Sequence, residues 1–321
     1  MIPKEFSYEI KKLKLNDYLF GDETERRKFA ADLLAVLKEY GFFILTDHGL
    51  DTELIARSVE TSRRFFELPT EIKENYNIPE ANGQRGYTGF GIKQAIKNNA
   101  PDPKEYWHMG RDSFSYLQSI PAQMQNVYPR EVPEFRPVIS DLFDQSDKIG
   151  KTLLAALGEA IKAPENHFEE LVEEGNCVVR CLHYPATASL VDMETSTYRA
   201  APHKDINFFT MLIGETNSGL QFECPDGSWL DVKAAPGEII VDSGEMLSLI
   251  TNNKIQATMH QVVKPKDAQA NRISIVFLVH PRPEAELVCI DSCRNGEEQS
   301  EPITAHNYLM ERIDYWQKNQ Q

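Results

Sequence analysis

His203 and Asp205 stand two residues apart at the head of the apolar run "PHKDINFFTML" (202–212), although an imidazole and a carboxylate are both costly to bury. On an extended strand residues i and i+2 share a face, so these two side chains converge on one point while Lys204 turns away from it. A third ligand is then sought on another strand. His260, in "TMHQVVK", meets that requirement and leaves room for intervening hairpins. Two histidines and one carboxylate on one face of a metal form the donor set of non-haem iron(II) sites, with open positions for O₂ and substrate-like ligands. Alone, a His-x-Asp pair is a surface or packing feature more often than a ligand pair, so the reading depends on what accompanies it.

Arg272 and Ser274 accompany it. The turn "KPKDAQAN" (264–271) would, in a symmetric hairpin, set position 260 opposite about position 275, which brings His260 beside Arg272 and Ser274. Those two are again at i and i+2. An arginine buried among Ile, Val, Phe and Leu requires an anion to offset its desolvation, and the sequence offers no obvious acidic mate. A dicarboxylate answers both needs, one end chelating the metal and the other gripped bidentately by Arg272 with a hydroxyl bond from Ser274. 2-Oxoglutarate has that shape.

The elements that must position these groups lie mostly after Asn176, where short β-branched and apolar runs alternate with turn signals: "CVVRCLHY", "NFFTMLI", "LQFEC", "WLDVK", "EIIVD", "MHQVVK" and "RISIVFLV". Many short strands in one block imply a barrel or jelly roll. The first part of the chain is helix-rich. "TERRKFAADLLAVLKEYG" repeats Phe29, Leu33, Val36, Leu37 and Tyr40 at helical spacing and stops at Gly41; "FFILT" is a short buried strand; "DTELIARSVETSRRFFELP" is a helix capped by Asp51. The glycine- and aromatic-rich "NGQRGYTGFGIKQAIKNNAPDPKEYW" is expected to be a loop folding over a cavity. From Pro133 to Lys162 the apolar spacing predicts one long helix, and "TAHNYLMERIDYWQKN" a last one.

The 321 residues allow two domains or one large mixed one, and 41% hydrophobic with 26% charged residues is ordinary for a globular fold. A net charge of -15 opposes binding to DNA or another polyanion and leaves a small molecule as the expected partner. No apolar stretch approaches the roughly 20 residues needed to span a bilayer, so no membrane association and a cytoplasmic location are expected. Five cysteines without a CxxC pair are expected to be reduced, buried filler.

With the His-x-Asp, distant His and Arg-x-Ser set in this order, the chain resembles the 2-oxoglutarate- and Fe(II)-dependent oxygenase family, in its isopenicillin-N-synthase-like subgroup. The resemblance covers nearly the whole chain, through "EYGFFILTDHGL" (39–50), "RGYTGFG", "DPKEYW", "LHYP" (182–185), "HKD", "GLQFECPDGSWLDVKAAPGEIIVDSGEML" and "RIS". It implies a mainly β fold with helices: a helix-rich region of the non-haem dioxygenase N-terminal type over 1–125, then a double-stranded β-helix (jelly roll) core over 126–321 with a long backing helix and a C-terminal helix. It also implies His203, Asp205 and His260 as metal ligands, and Arg272, Ser274 and Tyr184 as contacts of 2-oxoglutarate. Leu182 departs from the family's Asn at that place and cannot donate a hydrogen bond; Lys204 stands where many relatives carry a small hydroxyl residue. The implied reaction oxidises a small organic substrate, commonly by hydroxylation, with Fe(II), O₂ and 2-oxoglutarate consumed to succinate and CO₂, ascorbate serving as reductant. No catalytic side chain beyond the metal centre is implied.

Two other readings fit the same residues. One keeps the fold and the iron but dispenses with 2-oxoglutarate, as isopenicillin N synthase does, and the other is a non-catalytic jelly roll with a structural metal. Arg85, Tyr87 and Phe90 are candidate substrate contacts, against the plainer expectation that the aromatics plug the loop and Arg85 is solvated. Glu105 is expected to pair with a helix cation, and His183 and His280 to be satisfied structural histidines.

Overall fold

In the computed structural model, which describes residues 10–90, 102–112, 124–186, 189, 198–217, 219–296 and 301–318, two antiparallel sheets face each other. In chain order the strands of these two sheets are β1 (Lys12–Lys14), β2 (Phe42–Thr46), β3 (Gly86–Thr88), β4 (Glu105–Gly110), β5 (Val178–Tyr184), β6 (Tyr198–His203), β7 (Phe209–Glu215), β8 (Leu220–Glu223), β9 (Trp229–Asp231), β10 (Ile239–Ser243), β11 (His260–Val263) and β12 (Arg272–Val279). The larger sheet runs β1-β2-β10-β7-β12-β5-β4-β3 and the smaller β6-β11-β8-β9, with only the β1–β2 pair parallel. Strands from both sides of position 125 therefore share one sheet.

Alternation along the strands builds two cores. One face of the larger sheet, with Phe43, Trp107, Cys181, Met211 and Phe277, packs on the helices Thr52–Phe66 and Phe135–Ile161 through Leu54, Phe65, Leu142 and Leu153. Its other face, with Phe42, Tyr106, Leu182, Tyr184 and Leu212, meets Ala200, Phe222 and Val262 of the smaller sheet. Phe42 and Phe222 stack across that gap with ring centroids 4.3 Å apart. The jelly-roll core expected from the strand pattern is this sandwich.

Local signals account for the helix ends. Asp22 closes a capping box with Glu25 ahead of the helix Glu23–Glu39, and Asp51 caps Thr52–Phe66 through the N–H of Glu53. Gly41 ends the first of these at φ 77, where a side chain would also collide with the Thr258 hydroxyl. All five cysteines are free. Among the described residues no helix is long and apolar enough to cross a membrane.

Three expectations are corrected. The loop expected over 82–107 contains two buried strands, β3 and β4, that extend the larger sheet, while residues 91–101 lie outside the described residues. The strand β6 and the helix Glu245–Ile250 interrupt stretches where the sequence pattern shows neither. Finally, β11 and β12 do not form a hairpin: β11 pairs with β6 and β8, and β12 with β5 and β7. Because β11 lies in the smaller sheet and β12 in the larger, a register counted from the turn between them has no partner to act on.

Candidate active site

His203 is the last residue of β6, Asp205 lies just beyond it, and His260 opens β11 directly across from His203. The segment holding His203 and Asp205 is thus the crossing from the smaller to the larger sheet rather than the interior of a strand. One ligand atom from each of the three residues lies within 4.8 Å of the others, and the two imidazole centroids are 4.3 Å apart. Each ring is tied from behind: His203 Nδ1 donates to the Ala201 carbonyl at 2.7 Å and His260 Nδ1 to that of Thr258 at 3.3 Å. A carbonyl can only accept, so the proton is placed on Nδ1 and the Nε2 lone pair is left for a metal. The Thr210 hydroxyl donates to Asp205 Oδ2 and receives Asn207 Nδ2 at 2.8 Å.

The electrostatics prepare the same donor set. Burial, then the neighbouring His260, pushes the His203 imidazole well below its usual range. Burial works to raise the Asp205 carboxyl, but His260, His203 and Arg180 together with the Thr210 hydrogen bond outweigh it and hold the group low. A neutral imidazole beside an ionised carboxylate is the protonation state that metal ligation requires. Behind His260, Asp242 Oδ2 lies 4.0 Å from Nδ1, and burial first and Asp205 second raise that carboxyl far above its usual range.

His203 and Asp205 open on a cavity of about 610 Å³. Its wall includes Tyr106, His108, Arg180 and Leu182 from β4 and β5, and its mouth is bordered by Arg312 and Ile313 of the C-terminal helix Ala305–Lys318. Arg180 donates through Nε to His108 Nε2, and its guanidinium lies 5.6 Å from the Tyr106 ring centroid. Lys104 joins the wall paired to Asp102 at 3.1 Å.

Deeper between the sheets, Arg272 lies opposite Tyr184 with its guanidinium 5.3 Å from the ring centroid, and Ser274 lies opposite Leu182. Arg272 is buried, and its donors are engaged by Asn217 O at 2.9 Å, Ser274 Oγ at 3.1 Å and Glu215 Oε2 at 2.6 Å. An acidic mate therefore exists: Glu215, at the end of β7 opposite Ser274.

Two family models match the chain: the non-haem dioxygenase in morphine synthesis N-terminal model over residues 10–134, and the 2OG-Fe(II) oxygenase superfamily model over residues 175–281. A 2-oxoglutarate-Fe(II) type oxidoreductase of Aspergillus fumigatus is 30% identical over 284 residues, spanning 85% of this chain and 83% of the relative. The chain belongs to the 2OG-Fe(II) oxygenase superfamily. Among solved structures, a 2OG-Fe(II) oxygenase family protein from Caulobacter crescentus is 33% identical with a TM-score of 0.83, covering 95% of this chain and 98% of that one. A full-length Neurospora crassa protein in complex with alpha-KG (2-oxoglutarate) and thymine is 25% identical with a TM-score of 0.85, over 97% and 98%.

The chain is accordingly a 2-oxoglutarate-dependent dioxygenase with Fe(II) as its metal, and the first of the three sequence readings holds. The fold brings His203, Asp205 and His260 together in this oxygenase, and groups Arg272, Ser274 and Tyr184 on the neighbouring strands β5 and β12. It does not bring the three candidate substrate contacts to the cavity. Arg85 is buried, not solvated, and is engaged by Met124 O, Gln84 O and Asn176 Oδ1. Tyr87 is a core residue whose hydroxyl donates to Glu105 at 2.6 Å, and Phe90 is half-buried away from the cavity wall. Lys204, expected to turn away, borders the cavity because the strand has already ended. His280 also borders it, while His183 is satisfied by Glu105 at 2.7 Å.

Sequence reasoning missed Arg180 and Glu215. Arg180 carried a usable signal, a lone cation at the even spacing of Leu182 and Tyr184 on one apolar strand. Glu215 carried none, since its meeting with Arg272 depends on β7 and β12 being neighbours.

Proposed function

We propose that His203, Asp205 and His260 hold the iron, that Arg272, Ser274 and Tyr184 take the distal carboxylate of 2-oxoglutarate, and that the cavity receives a small organic substrate whose acceptor groups face Arg180. The observation that carries this reading is the convergence of three ligand atoms within 4.8 Å, two of them from residues, His203 and Asp205, that line a cavity of about 610 Å³. The donor set fits iron(II): two nitrogens and one carboxylate oxygen, each ligand oriented by its own hydrogen bond. Iron bound there supplies O₂ activation coupled to decarboxylation of 2-oxoglutarate, and hence the oxidising power directed at the substrate.

The protein's own part is placement and exclusion of water. Thr210 and Asn207 fix the Asp205 carboxylate, and the Asp205 carbonyl accepts the Glu245 N–H at 2.8 Å, linking the ligand segment to the cavity mouth. There Glu245 pairs with Arg312 at 2.9 Å, fastening the C-terminal helix beside the opening. Arg180, which no carboxylate pairs with among the described residues, gives the wall guanidinium donors that select a substrate with carbonyl, carboxylate or similar acceptor groups. The thymine bound by the Neurospora crassa relative, a small molecule with two carbonyl acceptors, agrees with that class.

Anaerobic titration of the Fe(II)-loaded protein with 2-oxoglutarate tests the reading through the visible metal-to-ligand charge-transfer band. His203→Ala and Asp205→Ala are expected to abolish the band by losing iron; a full band in both rejects the ligand assignment. Arg272→Ala is expected to keep iron but to need more 2-oxoglutarate, and an unchanged requirement rejects that role.

A further inference from the structure

We infer that Arg199 is a second guanidinium of the co-substrate pocket, sharing the distal carboxylate of 2-oxoglutarate with Arg272. This rests on the placement of 2-oxoglutarate proposed above and adds a residue that the Arg-x-Ser pair does not include. The backbone supplies the first reason. Along the β6–β11 pairing Val262 faces Ala200 and Val263 faces Tyr198, so Arg199 is the additional residue of a β-bulge. A bulge breaks the alternation that would decide the direction of a side chain and re-aims it. Here Arg199 is 1% exposed, and its Nη2 donates to the Ala270 carbonyl, two residues ahead of Arg272. A strand of the smaller sheet thus sends a guanidinium across to the start of β12 in the larger one.

Charge supplies the second. Arg199 has the ordinary pKa of its guanidinium lowered to about 10 by burial first and by the nearby Arg272 next, with Tyr184 opposing, so the two cations and the phenol occupy one locality. Glu215 ion-pairs with Arg272 at 2.6 Å; among the described residues the buried Nε and Nη1 of Arg199 have no hydrogen-bond partner. Two guanidiniums against one carboxylate leave one positive charge in a buried pocket, and an uncompensated buried charge is expensive. One further carboxylate with two acceptor oxygens satisfies both the charge and the orphaned N–H groups. Arg272 has its acidic mate within the chain; among the described residues Arg199 has none, so Arg199 is the buried arginine whose charge a ligand carboxylate answers.

The test is a binding measurement. Calorimetric titration of the Mn(II)-loaded protein, without O₂, compares 2-oxoglutarate with 2-oxovalerate, which has the same chain length and no distal carboxylate. Arg199→Gln is expected to weaken 2-oxoglutarate by about 10- to 100-fold and to leave 2-oxovalerate unchanged, with Arg199→Lys recovering part of the loss. Metal content of each variant shows that the site is still folded. Wild-type affinity for 2-oxoglutarate in Arg199→Gln, alongside weakened binding in Arg272→Gln, overturns this inference alone. Wild-type affinity in both variants overturns the placement of 2-oxoglutarate as well.

Discussion

The two faces of one strand pair, β4 and β5, carry opposite kinds of polar cluster. On the face toward the helices, Glu105 is surrounded: His183 at 2.7 Å on one oxygen, Lys73 and Tyr87 each at 2.6 Å on the other, with Lys73 and Glu105 both almost wholly buried. On the face toward the smaller sheet, His108 and Arg180 sit three residues away along each strand, and among the described residues no carboxylate pairs with Arg180. The first cluster is closed and charge-balanced; the second ends on a cavity. Polar groups on opposite faces of one strand pair thus do different work, and what separates them is whether their hydrogen-bonding capacity is used up within the chain.

The largest effect that would break this contrast is on stability. Burial works to raise the Glu105 carboxyl, yet its bonds to His183, Lys73 and Tyr87 hold it below the usual carboxylate range, so the cluster depends on the ionised form. Glu105→Ala leaves Lys73 buried without its counter-ion, and removing one partner of such a pair costs about 3–5 kcal/mol. Urea unfolding should show that loss, while the folded fraction still forms the 2-oxoglutarate band. A loss below about 1 kcal/mol, the range of exposed pairs, would mean that the closed cluster is not structural.

Arg180 is the matching probe on the open face. Arg180→Met should leave the protein near wild-type stability and the 2-oxoglutarate band forming at the usual concentrations. Whatever compound stimulates succinate release in the wild type should then be needed at about 10- to 100-fold higher concentration, the worth of a hydrogen bond to a charged group. A change in the 2-oxoglutarate requirement instead would move Arg180 to the co-substrate side of the cavity.

Which parts of this were legible follows the range of the interactions. Helix ends were written locally, in Asp51 and Gly41, and the strands of the core in runs such as "RISIVFLV". The ligand set was legible because His203 and Asp205 are neighbours in sequence and His260 stands in the same block of strands. What failed was pairing. The β11–β12 hairpin was the simplest assumption, but which sheet receives each strand is decided by contacts far apart in sequence, and with it went the register that set His260 beside Arg272 and the apparent lack of a mate for Arg272. β6 escaped because "YRAAPH" has alanines and a proline where strand signals are sought, and its bulge at Arg199 cannot be read without the partner strand.

The smallest effect is a pH dependence that separates a satisfied histidine from one that borders the cavity. His280 is pushed down to about 4, chiefly by burial, with Arg180 and Arg85 adding to it against the pull of Asp205. In the unfolded chain the same group titrates near 6.5. Between those values the unfolded state binds a proton that the folded state refuses, so stability rises with pH across the window and is lost as pH falls from about 6.5 to about 4. Below that both states are protonated and His280 contributes no further slope. His280→Gln removes this contribution, so unfolding curves of metal-free wild type and variant should diverge in slope only inside this window and run parallel above about pH 7. Parallel curves throughout would mean that His280 keeps its proton when folded. It would then stand in the cavity as a cation beside Arg180 rather than as a neutral imidazole able both to donate and to accept.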